Sequence, residues 1–426
     1  MTMMTRAWPL LLGMGVLMLG AGLQGTLLGI RATAEAFPTM VTGIVMACYY
    51  VGYLLGTIVT PRLISSVGHV RVFAAFAAIA AAANLTQAGF VSPAPWAAMR
   101  LVTGLCFAGI YVVAESWLNG LASRTNRSRL LAAYMIVLYV GLGAAQFLLL
   151  LSNTATSAPF MLASGLICVA VVPTLLSAQI DPEVVVPRAV PLRDIYRLSP
   201  LGVAAVVVAG VISSIIFSIG PVYARLAGQD TTDIATFMAV NIFAGVATQY
   251  PVGALADRFD RRTVIAGVCA LATAAAVALV LFPAMPRAGF LLLSAVFSGL
   301  TLTIYSLGIS HVNDRLEPAQ MVAASGVLLL LDGAGAIVGP VLVTGLMSGS
   351  GPSAYFATLA ALSGLLTLHC LWRKSRRAAV PATHKGPFIK TQPQPCAQVT
   401  EPPWLGPSLE TPANRIQPQQ ADRGSP

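Results

Sequence analysis

The sequence predicts an all-α polytopic membrane protein, with twelve transmembrane helices arranged as two pseudo-symmetric six-helix bundles. Three observations carry the prediction. Apolar residues make up 57% of the 426 residues and charged residues only 9%. A soluble domain carries about a quarter charged, so this chain cannot clothe a surface of its size in charge. The apolar residues also fall in continuous runs long enough to cross a bilayer, which takes about 20 residues per helix. They do not alternate as the strands of a membrane barrel do. Finally, the second half of the chain repeats features of the first at an offset of about 194 residues.

The first six runs cover residues 8–30, 40–60, 70–91, 94–118, 130–151 and 158–177, and the second six cover 201–224, 233–255, 263–283, 288–311, 319–346 and 353–372. The division gives an N-terminal half over 1–178, a polar linker over 179–200, a C-terminal half over 201–372 and a tail over 373–426. The first run follows Arg6 and precedes Ala32-Thr33-Ala34, which resembles a cleavable leader. It is too long for a leader's apolar core and is expected to remain as a helix. The tail is proline-rich (Pro393, Pro395, Pro402, Pro403) with almost no aliphatic run, a composition that predicts disorder.

Basic residues set the expected orientation, because Lys and Arg gather in loops that stay cytoplasmic. With the N-terminus inside, that side holds Arg6, Arg62, Arg71, Arg124, Arg127, Arg129, Arg188, Arg193, Arg197, Arg258, Arg261, Arg262, Arg315 and the cluster from Arg373 to Arg377. The opposite side holds Arg31, Arg225 and Arg287. Both termini are therefore expected in the cytoplasm. The net charge of +10 follows from topology and implies no nucleic-acid partner. The six cysteines show no paired spacing and read as small buried hydrophobes, with no disulfide and no metal site. No phosphate-binding loop, zinc motif or nucleotide fingerprint is present, so neither an enzyme nor a cofactor is expected.

The repeat places Asn119 opposite Asn313 and Gly141 opposite Gly335. Two six-helix halves related in this way predict a solute site near the midplane between them, reached from alternate sides as the halves rock.

The residues following the eighth run read Gly253-Ala-Leu-Ala-Asp257-Arg258-Phe-Asp260-Arg261-Arg262. This resembles the signature loop of the major facilitator superfamily, G-x-L-x-D-R-x-G-R-[RK], with Asp260 standing where the pattern prefers Gly. The corresponding segment between the second and third runs keeps Gly68, His69 and Arg71 but has no Asp. Arg100-x-x-x-Gly104 is similar to the superfamily's fourth-helix motif. Ala114-Glu115-Ser116-Trp117-Leu118-Asn119, Asn313-Asp314-Arg315-Leu316 and Gly335-x3-Gly339-Pro340 resemble the YcaD-type branch of bacterial facilitators. The resemblance covers residues 8–372. It implies the facilitator fold in a bacterial inner membrane and a secondary transporter of a small organic solute. Drug efflux, or a non-transporting sensor or scaffold on the same fold, are the alternatives.

Individual residues divide by depth. Asp332 lies mid-span, where a carboxylate is costly unless it faces a cavity or a partner. With the intramembrane Arg100 it is the candidate for substrate binding and proton coupling. Glu115 is fifteen residues beyond Arg100, about 22 Å along a helix, too far to pair with it. It is expected to anchor the cytoplasmic gate through a loop arginine, together with Asn119, Asn313, Asp314, Gly68 and Arg71. Gly253, Asp257, Arg258, Arg261 and Arg262 form the gating motif, with Asp257 accepting from a neighbouring helix N-terminus. Gly335 and Gly339 permit close helix packing and Pro340 a kink. The expected partners are the solute, protons and the lipid bilayer, with the chain a monomer.

Overall fold

The computed structural model describes residues 3–121, 127–176, 191–316 and 318–376. Twelve of its helices are long and apolar enough to cross a membrane. Spans 1 to 6 are Ala7–Ala34, Thr39–Val67, His69–Gly89, Pro93–Leu121, Arg129–Leu151 and Ala158–Leu175. Spans 7 to 12 are Pro200–Leu226, Thr231–Arg258, Arg261–Leu281, Arg287–Asn313, Ala324–Ser350 and Ala354–Ser375. Among the described residues there is no strand, as expected where lipid offers the backbone no hydrogen-bond partner. The tail beyond residue 376, linker residues 177–190 and the loop arginine Arg124 lie outside the described residues. The remaining linker forms a short helix, Leu192–Leu198.

Several helices outrun their apolar segments. Span 2 continues through Pro61 to Val67, seven residues past its apolar run. Span 7 is interrupted by a π-turn at Ile215–Ile219, a local widening that sequence periodicity does not announce.

The two halves repeat one packing scheme. Span 1 packs on 5 and 6, span 2 on 4, and span 3 on 4 and 6. In the same way span 7 packs on 11 and 12, span 8 on 10, and span 9 on 10 and 12. The expected glycine correspondence has a physical basis here. A Cβ on Gly141 would press on span 1 at Met18, and one on Gly335 would press on span 7 at the Val207 carbonyl. Each glycine lets the fifth helix of its half approach the first. The halves touch through spans 2 and 11, 5 and 8, and 1 and 7.

The apolar cores show where the halves join. Call the end bearing the first and last described residues the near end, and the other the far end. One core cluster draws on both halves, and its members lie in the far half of the bundle, among them Leu27, Met46, Trp96, Ile219, Met238, Met347 and Tyr355. At the near end the clusters separate. One holds N-terminal residues such as Met14, Phe73, Trp117 and Tyr134. The other holds C-terminal residues such as Val206, Ile265, Leu307 and Leu328. Close helix contact reinforces the far seal, since a Cβ on Gly43 of span 2 would meet Thr344 and Pro340 of span 11.

Most cysteines follow expectation: Cys106, Cys269 and Cys370 are buried. Cys168 is the exception. It is exposed on span 6, since a thiol costs little on an apolar outer face. Cys48 is partly exposed. Arg31 and Glu35 form an ion pair at 2.7 Å on the far rim.

Candidate functional site

The residues at the centre are placed by the tight packing of spans 2 and 4. A side chain at Gly52 would strike the Leu101 carbonyl, and one at Gly104 the Tyr49 carbonyl. Small residues at both positions let the backbones touch. That approach lays the Arg100 guanidinium over the Tyr49 ring, 4.3 Å from its centre, a favourable cation–π contact. Arg100 is 5% exposed and its Nε has no hydrogen-bond partner.

Next along span 2, the Tyr50 hydroxyl lies 2.9 Å from Ser218 Oγ of span 7. Ser218 sits in the π-turn. This hydrogen bond crosses from one half to the other. Tyr50 also lies within electrostatic reach of both Arg100 and Asp332. Asp332 is 3% exposed. It stands where three helices converge: its backbone abuts Gly210 of span 7, and the adjacent Gly333 faces Leu54 of span 2. No ion pair joins Asp332 to Arg100 or to another described cation. The two sequence-predicted charges thus both lie within electrostatic reach of one tyrosine without forming an ion pair with each other.

Several polar residues inside the spans serve as bridges within the N-terminal half. Gln24 Nε2 donates to Gln87 Oε1 at 3.0 Å, linking spans 1 and 3. Thr26 donates to Gln146 at 2.6 Å, linking spans 1 and 5. Asn84 donates to Ser164 and to the Phe160 carbonyl of span 6.

At the near end the signature loop is a compact ionic cluster. Arg261 pairs with Asp314, the residue that follows span 10, at 3.0 Å, both side chains 2% exposed. It also approaches Asp257 at 3.8 Å, one helical turn back. Asp260 caps span 9 by accepting from the Arg262 backbone N–H at 3.0 Å and holds the Arg262 guanidinium at 2.9 Å. Partial burial works to raise the Asp260 carboxyl, but the hydrogen bonds and charge of Arg262 outweigh it and keep it below the usual carboxylate range. The departure from the glycine pattern therefore supplies an N-cap. Arg258 is exposed and Gly253 buried. Span 8 packs along span 5, though the side chains of Arg127 and Ser128 at the start of that helix lie outside the described residues.

The N-terminal half answers this cluster without charge. At the equivalent junction of spans 3 and 4, His69 Nε2 lies 2.9 Å from Ser116 Oγ and stacks on Trp117. Gly68 takes the positive φ of 85° that the turn between spans 2 and 3 requires. Arg71 is exposed. Glu115, one residue before Ser116, is 3% exposed, and neither of its oxygens has a hydrogen-bond partner. Among the described residues no arginine pairs with it, while the loop arginines Arg124 and Arg127 have side chains outside the described residues. Asn313 is buried and Asn119 partly exposed. Span 11 stays helical through Pro340 to Ser350, and Gly339 abuts Ser214 and the Val211 carbonyl of span 7.

Sequence reasoning missed Tyr50 and Ser218. The serines at 213, 214 and 218 in an apolar run were the available signal, but their alignment with span 2 depends on the π-turn.

The Major Facilitator Superfamily model matches residues 10–289 and 202–409. The chain is 29% identical over 387 residues to an uncharacterized MFS-type transporter YcaD of Escherichia fergusonii, covering 90% of this chain and 100% of that protein. It is 30% identical over 390 residues to the protein of the same name from Escherichia coli O7:K1, again covering 90% and 100%. Among solved structures, the nucleoside transporter NupG superposes with a TM-score of 0.71 at 14% identity, covering 87% of this chain and 99% of that one. A bacterial homolog of the human lysosomal transporter Spinster, in an inward-facing and unoccupied conformation, gives 0.65 at 14% identity, covering 88% and 95%. At such identities the structures share the fold alone.

Proposed function

The chain belongs to the major facilitator superfamily, and on that premise we propose that it is a secondary active transporter moving a small organic solute by alternating access, coupled to protons. It works in the bacterial inner membrane with both termini cytoplasmic, as the clustering of Lys and Arg at the near end supports. The single observation that carries the reading is the pair of buried charges, Arg100 and Asp332, that form no ion pair with each other and both lie within electrostatic reach of Tyr50. Opposite charges left apart in an interior are costly, and a fold retains them where a ligand or proton relieves the cost. In this reading Asp332 takes and releases the proton and Arg100 holds an anionic group.

The conformation has a role in the same account. With the far end sealed, solute and proton exchange with the near side. The ionic cluster of Asp257, Arg258, Arg261 and Arg262 with Asp314 is the near-end gate element, re-formed or broken as spans 8 to 10 move. Glu115 and His69 serve the corresponding place in the N-terminal half.

The test is a solute screen in proteoliposomes under an imposed pH gradient, comparing the native chain with Asp332→Asn. Gradient-driven accumulation of a solute by the native chain should be lost in the variant. Accumulation unaffected by Asp332→Asn overturns the coupling role. Absence of any solute movement by the native chain overturns the transporter reading.

A further inference from the structure

Arg100 belongs to the N-terminal half and Asp332 to the C-terminal half. Each is pinned in place by its own helix packing. Span 4 is fixed against Tyr49 at Gly104, and span 11 against span 7 at Gly210, Gly335 and Gly339. Arg100 lies on the Tyr49 face, so it is not free to swing to Asp332 without giving up that contact. Tyr50 lies within electrostatic reach of both, and its hydroxyl is engaged by Ser218 and hydrogen-bonds to neither charge.

A proton satisfies Asp332 and leaves Arg100. A simple anion satisfies Arg100 and leaves Asp332. A molecule with separated opposite charges satisfies both at once. It also ties the N-terminal half to the C-terminal half, which gives its binding energy a different value in conformations that alter their separation. The planar fork of a guanidinium suits a carboxylate, and a buried carboxylate suits an ammonium group. We infer that the transported solute is an organic zwitterion, its carboxylate held at Arg100 and its ammonium group at Asp332, with a short carbon chain passing Tyr50. The site is that of the proposed transporter, and the inference rests on that reading for its location. Solute and proton then compete for Asp332, so the coupled process is an exchange of one for the other.

The experiment titrates the purified full chain with 4-aminobutanoate, 5-aminopentanoate and 6-aminohexanoate, each beside the alkanoate and alkylamine of equal length. At one chain length the zwitterion should bind at least about tenfold tighter than either singly charged match. Arg100→Gln and Asp332→Asn should each abolish that preference. Asp332→Glu keeps the charge and reaches further, so it should retain the preference and shift it to a chain one carbon shorter. Equal binding of alkanoate and zwitterion, a preference that survives Asp332→Asn, or no binding across the series overturns the assignment. The same series in proteoliposomes separates the two proposals. Zwitterion binding without any flux overturns the transporter reading alone. Flux of other solutes with no zwitterion preference overturns this inference alone.

Discussion

The hydroxyl of Tyr50 and the hydroxyl of Ser218 meet at 2.9 Å across the boundary between the two six-helix halves. Tyr50 lies within electrostatic reach of both Arg100 and Asp332. Tyr50→Phe removes the bond with little change of shape. A buried neutral hydrogen bond contributes about 0.5–1.5 kcal/mol, so the far-open population should rise by up to about tenfold. The check is the alkylation rate of a cysteine placed at the buried Thr344, in a background without native cysteines. The rate should rise in Tyr50→Phe, and an unchanged rate contradicts the bond's role in the seal.

Arg261 and Asp314 form the most buried ion pair among the described residues. Asp314→Asn removes the 3.0 Å contact and leaves the longer one to Asp257, at 3.8 Å. Breaking a buried pair typically costs about 3–5 kcal/mol, and the nearby Asp257 should hold the loss to the lower end. Thermal unfolding of the detergent-solubilised protein measures it. The double variant Arg261→Asp with Asp314→Arg should recover part of the loss.

Glycines sort by what stands opposite them. Gly210 faces the backbone of Asp332, so Gly210→Ala has no room. It should cost about 1–3 kcal/mol through overpacking and displace Asp332, impairing coupling. Gly165 and Gly267 have nothing within 4 Å. Alanine there should be neutral or stabilising by about 0.5–1 kcal/mol, because glycine is the poorer helix former. Melting temperatures of the three variants give the ranking directly.

Asp260 carries a prediction with a pH window. Its folded carboxyl sits below the usual carboxylate range. It therefore contributes stability that is fully present above the unfolded value of about 3.9 and is lost as pH falls through the lower folded value. Stability should be independent of this group from pH 5 upward. Asp260→Gly, the residue the family pattern prefers, removes the cap and should cost about 0.5–2 kcal/mol at neutral pH. Unfolding midpoints at pH 7 and below pH 4 should differ for the native chain more than for Asp260→Gly.

The helix count, the six-plus-six division and the depth of Asp332 and Arg100 were legible because apolar length and charge position obey the bilayer directly. The pairing of Gly141 with Gly335 was legible too, since close helix approach demands the same small residue in both repeats. What the sequence withheld depends on rotation about helix axes. The π-turn at Ile215–Ile219 rotates Ser218 towards Tyr50, and no periodicity in an all-apolar run records that. Glu115 read as a gate anchor from its depth, but its burial away from any described arginine is a matter of which way the helix faces. Asp260 looked like a defect in a pattern. Its capping of span 9 shows only once the chain folds back on the Arg262 backbone.

In the proposed transport cycle the halves exchange a far-end seal for a near-end seal. Spin labels on exposed positions of spans 5 and 8 measure this most directly, with Leu151 and Thr232 reporting the far end and Arg129 and Leu255 the near end. Distances are read by pulsed electron resonance in lipid, before and after a pH step and with saturating solute. Before the step, the Leu151–Thr232 distance should be short and the Arg129–Leu255 distance long. Solute or protonation should populate a second state in which the first lengthens as the second shortens. Distances that stay fixed at both ends, or that lengthen and shorten together, contradict alternating access.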